Sequence, residues 1–105
     1  MKTESFPQRV YKLTSLIPRG CVSTYSKIAQ ALNNPKAGRA VGNALNKNPY
    51  APFVPCHRVV RISGEVGGFA RGTKAKIEIL KKEGIIINKG KIDLHKYLYE
   101  FKAKK

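Results

Sequence analysis

The segment FVPCHRVV, residues 53–60, sets a thiol beside an imidazole, between a proline and an arginine. These residue types allow three readings of Cys56: a nucleophile, a metal ligand, or a small apolar residue beside a satisfied core histidine. Metal ligation needs further ligands at suitable spacing. The chain has two cysteines, Cys21 and Cys56, and two histidines, His57 and His95, and none of them is paired at zinc-ligand spacing. No metal and no cofactor are therefore expected. A free thiol ionises at pH ~8.5 and only the thiolate attacks carbon, so a nucleophilic Cys56 needs a base and positive surroundings. A histidine oriented by a carboxylate would supply the base. Neighbouring residues on an extended chain point to opposite sides, so a water bridging Cys56 and His57 is expected rather than direct contact.

The surroundings are strongly positive. Twenty-one Lys and Arg stand against six Asp and Glu in 105 residues, a formal charge of +15. Removing Lys102, Lys104 and Lys105 lowers this only to +12, so a basic tail does not account for it. Such a field attracts a polyanion, and nucleic acid is the first candidate. No apolar run reaches the length of a membrane span, and MKTESFPQRV has no secretory core. Two cysteines do not make a disulfide framework. We expect an intracellular, cytoplasmic monomer associated with the nucleoid, without membrane contact.

The elements that must carry Cys56 are legible as a series of short helices. Ser5 and Gln8 form a capping box that opens a helix with Phe6, Val10, Leu13 and Ile17 at helical spacing, stopped by Pro18-Arg19-Gly20. Thr24 caps a second helix that buries Ile28, Ala29 and Leu32. Asn34 is the expected cap, and Pro35 the first residue, of a third helix running through KAGRAVGNALNKN. Two short helices joined by a short turn are the signature of a helix-turn-helix. In the second of them Ala40, Val41, Ala44 and Leu45 form the buried stripe. Arg39, Asn43, Asn46 and Lys47 form an outward one, as a recognition helix would. The plain alternative, a solvated basic face, is weakened by the net charge.

The proline-rich NPYAPFVP is expected to be extended, and CHRVV to turn into a short strand. SGEVGGFARG is a glycine-rich loop without the GK[ST] ending of a phosphate loop. TKAKIEILKKEG predicts a capped helix closed by Gly84. IIINKGKI predicts a hairpin turning at Lys89-Gly90, a candidate wing, and DLHKYLYEF a final helix with Leu94, Tyr97, Leu98 and Phe101 on one side. The expected fold is mainly α with a small β-hairpin, a winged helix-turn-helix DNA-binding domain. It is one domain over residues 1–105, in which 85–105 form a hairpin plus a C-terminal helix extension.

RAVGNALNKNPYAPFVPCHRVV, with TYSKIAQAL, NPKAGRAVG and SGEVGGFARG, resembles the active-site region of the O6-alkylguanine-DNA alkyltransferases, the methylated-DNA–protein cysteine methyltransferases. The resemblance runs from about Phe6 to Gly84, and Pro-Cys-His-Arg-Val is its most specific part. It implies a protein that enters the minor groove of double-stranded DNA, flips the damaged guanine out, and moves the alkyl group irreversibly to a cysteine. By that resemblance Cys56 is the acceptor, and His57 takes its proton through a water. Glu83 orients the histidine, and Asn48 is the hinge between recognition helix and active-site turn. Tyr25 rotates the target phosphate and bonds to guanine N3, and Arg39 fills the hole left by the flipped base. The backbone of Val59 helps read the guanine edge, and Phe69 walls the pocket. Asn43, on the outward stripe, joins these as a DNA-facing residue.

Three departures from the family pattern matter. Members usually carry an additional N-terminal domain that has no counterpart in these residues. Ala70 stands where many have a serine able to bond guanine O6, leaving a backbone N–H for that task. Arg71 occupies a position that is often small or aromatic, where it narrows the pocket or adds a phosphate contact. The short architecture also resembles the alkyltransferase-like proteins, which bind alkylated DNA without repairing it and recruit excision repair. Those commonly carry tryptophan in place of the acceptor, whereas Cys56 is present here. A winged-helix transcription regulator would explain the charge and the helix pair but gives Pro-Cys-His-Arg-Val no purpose.

Overall fold

The computed structural model describes residues 4–51, 53–67 and 72–101. Helix α1, Phe6–Thr14, opens with the reciprocal cap: Gln8 N–H donates to Ser5 Oγ at 3.3 Å and Ser5 N–H donates to Gln8 Oε1 at 3.0 Å. It ends before Pro18, sooner than expected. The hydroxyls of Thr14 and Ser15 donate to the carbonyls of Val10 and Tyr11 at 2.7 and 2.8 Å, and the chain then leaves the helical path. Ile17 still reaches the core, from the turn that follows.

Strand β1, Ser23–Thr24, leads into α2, Tyr25–Ala31, where Thr24 Oγ1 accepts from Lys27 N–H at 3.0 Å. Asn34 does not cap the next helix. Asn33 takes a left-handed conformation with φ 61°, and the Asn34 carbonyl accepts from Ala37 N–H at 3.0 Å. These residues are spent on the turn, and α3, Gly38–Asn46, starts after Ala37 without a side-chain cap. Its buried stripe is Val41, Ala44 and Leu45. Ala40, expected with them, is exposed, because it falls outside the arc that α1 and α2 cover.

A 3₁₀ turn over Cys56–Arg58 runs into β2, Val59–Val60. β2 pairs in parallel with β1, Ser23 opposite Val59 and Thr24 opposite Val60. Successive strand residues face opposite ways, and the two valines divide between two cores accordingly. Val59 joins Val10, Ile17, Ile28, Leu32, Val41 and Leu45 of the helical side. Val60 joins Val22, Val66, Leu80, Ile85, Ile92 and Tyr97.

Helix α4, Thr73–Lys82, has Gly72 at its start and no side-chain cap there. At its end Ile85 N–H donates to the Leu80 carbonyl at 3.1 Å and Gly84 N–H to the Lys81 carbonyl at 3.0 Å. With Gly84 at φ 90°, this is the paired bonding of a glycine-closed helix terminus, and it leaves Glu83 as the capping residue. β3, Ile87–Asn88, and β4, Lys91–Ile92, form the antiparallel hairpin, with Lys89 and Gly90 both at positive φ as a type I′ turn requires. The expected final helix is a single turn, α5, Leu94–Tyr97. Beyond it the chain extends beside β1: Val22 N–H donates to the Tyr97 carbonyl at 2.9 Å and Tyr99 N–H to the Val22 carbonyl at 2.7 Å. Strand alternation then sends Tyr99 and Phe101 together onto the helical core, ring to edge at 5.2 Å.

Candidate functional site

The 3₁₀ turn places three chemical groups in sequence. Cys56 is half-buried, His57 is 6% exposed, and Arg58 is partly covered. With three residues per turn, the side chains of Cys56 and His57 diverge rather than face each other. His57 Nε2 lies 3.0 Å from Glu83 Oε2. The same carboxylate accepts a two-point contact from Arg58, Nε to Oε1 at 2.9 Å and Nη2 to Oε2 at 2.7 Å. Arg58 Nη1 donates to the Ile17 carbonyl at 2.9 Å. The closure of α4 at Gly84 thus delivers Glu83 to the 3₁₀ turn, and Arg58 ties both to the end of the α1 segment.

Burial pushes the Glu83 carboxyl up, but hydrogen bonds from Arg58 and His57 more than offset it, and its pKa lies below the ordinary value. Burial pushes His57 below its ordinary value, against the pull of Glu83. At neutral pH the imidazole is therefore neutral and the carboxylate ionised. An ionised carboxylate only accepts hydrogen bonds, so Nε2 carries the proton and Nδ1 is left as an acceptor. The pair is a base whose tautomer is fixed, next in sequence to a thiol.

Asn48 sits between α3 and the 3₁₀ turn. Its Nδ2 donates to the Val54 carbonyl at 2.8 Å, and its Oδ1 accepts from Tyr50 N–H at 2.9 Å. Cys56 N–H donates to the same Val54 carbonyl at 2.8 Å, so one side chain braces the approach to the thiol. Tyr11 adds a second brace, its hydroxyl donating to the Ala44 carbonyl at 2.7 Å while its ring meets Tyr50 edge-on at 5.8 Å.

A residue missing from the sequence reading is Lys76. It is fully buried, and its Nζ donates to the Val59 carbonyl at 2.6 Å and lies 3.5 Å from Tyr25 Oη. Burial pushes its pKa down to about 8. Burial also raises the Tyr25 phenol, with Arg61 opposing. Val59, expected to offer its backbone to guanine, thus has its carbonyl already engaged on one side; a carbonyl has two acceptor positions. TKAKIEILKK reads as a helix with surface lysines, but Lys76 stands four residues before buried Leu80, where an amphipathic helix calls for an apolar residue. That spacing was the signal.

The outward residues of α3 meet a different environment. Arg39 and Asn43 line a cleft of about 660 Å³ together with Tyr25, and across from them stand Arg61, Ser63 and Glu65. Phe69, Ala70 and Arg71 lie outside the described residues. A second cleft, about 860 Å³, opens between α1, α2 and Tyr99–Phe101 and contains none of the candidate residues. Among the described residues no three His, Cys, Asp or Glu side chains gather as metal ligands, and no helix is long and apolar enough to cross a membrane.

Residues 5–85 match the family model of the 6-O-methylguanine DNA methyltransferase DNA-binding domain. The chain belongs to that family. Within the methyltransferase family, the chain is 47% identical over 79 residues to the methylated-DNA–protein-cysteine methyltransferase of Methanosarcina acetivorans. That alignment covers 75% of this chain and 51% of the relative, so the chain spans about half the length of that methyltransferase. It is 35% identical over 101 residues to the DNA base-flipping protein of Escherichia coli K12, covering 95% of this chain and 78% of that protein. Among solved structures it is similar to S. pombe Atl1 in complex with damaged DNA containing O6-carboxymethylguanine, with a TM-score of 0.84 at 30% identity. That match covers 95% of this chain and 99% of Atl1. The family's helical winged helix-turn-helix is the fold described above.

Proposed function

We propose that the chain repairs O6-alkylguanine in duplex DNA by direct reversal, transferring the alkyl group to Cys56 from a guanine flipped out of the helix. Cys56 gives up its thiol proton through a water to His57 Nδ1, whose other nitrogen is held by Glu83. The sulfur attacks the alkyl carbon, a sulfur–carbon bond forms, and the carbon–O6 bond breaks with its electron pair passing to the guanine. The guanine then takes up a proton, with Tyr25 at its N3 edge. The thioether is not readily reversed, so each molecule acts once. Asn48 holds the approach to the 3₁₀ turn, the Val59 backbone meets the base edge, Arg39 occupies the vacated stack, and Asn43 meets the groove. By the family resemblance Phe69 is the pocket's aromatic, and Ala70 and Arg71 decide how well the guanine fits.

The observation that carries this reading is the buried His57–Glu83 pair, neutral imidazole against ionised carboxylate, fixed one residue from a thiol. A base held in one tautomer beside a thiol is what proton transfer from that thiol requires. A second reading, a lesion sensor that binds alkylated DNA without transfer, draws on the end-to-end match to Atl1 and the half-length match to a methyltransferase. Duplex carrying isotopically labelled O6-methylguanine separates the two. Transfer of label to wild-type protein in a one-to-one ratio, abolished in Cys56→Ala, is the expected result. Tight lesion binding with no label on the protein would establish the sensor instead.

A further inference from the structure

The wall of the 660 Å³ cleft opposite α3 is not a free loop. Arg61 N–H donates to the Glu65 carbonyl at 2.9 Å, and Gly64 N–H donates to the Arg61 carbonyl at 2.8 Å, closing a tight turn. The β3–β4 hairpin clamps that turn from behind. Ile92 N–H donates to the Gly64 carbonyl at 2.8 Å, Val66 N–H to the Gly90 carbonyl at 3.1 Å, and Glu65 pairs with Lys91 in an antiparallel bridge. The approach is so close that a side chain on Gly64, at φ 92°, would put its Cβ 2.7 Å from the Ile92 carbonyl oxygen. The hairpin lies beyond the stretch that the family model matches, which ends at residue 85.

Directly paired residues on antiparallel strands present their side chains to one face, so Lys91 shares the face of Glu65, which lines the cleft. The stem of Arg61 runs over Gly67, where an added Cβ would lie 3.4 Å from its Cγ and 3.6 Å from Tyr25 Oη. Arg61 is exposed. Arg39 therefore stands on one wall of the cleft and Arg61 on the other, against the single carboxylate of Glu65 among the lining residues. Two basic walls, one of them set by backbone hydrogen bonds, suit a flexible polyanion with charges at regular spacing.

We infer that the hairpin-braced Arg61 turn is the second jaw of a clamp that grips a phosphodiester strand against α3, with Arg61 in direct contact with a phosphate. This rests on the DNA-binding half of the proposed function and holds whether or not Cys56 accepts an alkyl group. The clamp also gives residues 86–92 a task, holding Arg61 at a fixed distance from the recognition helix.

Anisotropy titrations of undamaged duplex DNA over a salt series test it without alkyl chemistry. Each phosphate contact contributes about −0.9 to the slope of log affinity against log salt. Arg61→Gln is expected to flatten the slope by about that amount, and Arg61→Lys, which keeps the charge, to retain the wild-type slope. Gly64→Ala, which pushes the turn off the hairpin, is expected to flatten the slope as Arg61→Gln does. A wild-type slope in Arg61→Gln, or an equal loss in Arg61→Lys, overturns the phosphate contact. A wild-type slope in Gly64→Ala overturns the brace. Wild-type protein that fails to bind duplex at any salt concentration overturns the DNA-binding reading itself, a result separate from these.

Discussion

The site around Cys56 and the cleft before α3 are built on opposite plans. At the first, His57 and the Glu83 side chain are almost wholly buried, and each hydrogen bond joining Glu83 to His57 and Arg58 has an assigned direction. At the second, Arg39, Asn43 and Arg61 are exposed, and among the described residues none of them forms an ion pair. A buried group with fixed partners has a set protonation state, which proton transfer requires. An exposed cation keeps its charge and freedom, which a phosphate backbone requires. Under the proposed function, chemistry and grip are thus separable, and substitutions in one region should leave the signature of the other intact.

The largest effect is expected in the buried region. His57→Ala removes the base, and single-turnover transfer to Cys56 should slow by about 10²–10⁴-fold. A loss below threefold would mean that His57 is a packing residue, and the contrast with the cleft would collapse.

Lys76 sharpens the comparison from the side of stability. Its pKa is about 8 when folded and 10.5 when unfolded, so between those values the unfolded chain binds the extra proton. Stability from this group accordingly rises as pH increases from 8 to 10.5. Over that window the wild type should gain up to about 3 kcal/mol relative to Lys76→Met, read from denaturant midpoints of the two proteins. A constant difference across the window would contradict a buried, proton-poor lysine.

The smallest effect belongs to the cleft. Arg39→Ala should slow transfer from duplex DNA by about tenfold, the equivalent of about 1.4 kcal/mol of the few that unstacking a base demands. Reaction with a free O6-alkylguanine base should fall less, because nothing needs to be flipped. Equal losses on both substrates would move Arg39 from the groove into the reaction itself.

Much of this was readable in the residues. The Ser5–Gln8 and Thr24 caps, the Lys89-Gly90 turn and the Gly84 closure are local signals, each decided within a few residues, and all four appear where expected. Pro-Cys-His-Arg-Val pointed to Cys56 and His57, and the structure sets Glu83 against the latter. What escaped was non-local. Ser23–Thr24 and Val59–Val60 are two-residue strands, too short for any periodicity, and only their pairing reveals them. Leu98–Phe101 could continue a helix by its own spacing, but Val22, just before β1, holds the chain extended through a bridge to Leu98. Arg58 had no role of its own in the sequence beyond its place in the motif, and it is the clasp on Glu83. Asn34 has the chemistry of a cap, yet Asn33 reverses the chain first. Lys76 was hidden because a lysine in a basic helix is ordinarily solvated.

The claim at the centre is that His57 and Glu83 exist to make Cys56 a nucleophile. Peptide mass spectrometry on protein incubated with a duplex containing O6-methylguanine addresses it directly. The account predicts one added methyl group, located on the Cys56 peptide and absent from the Cys21 peptide, with an equal amount of guanine restored in the DNA. An unmodified Cys56 peptide, from protein shown in the same sample to be bound to the lesion, would contradict it.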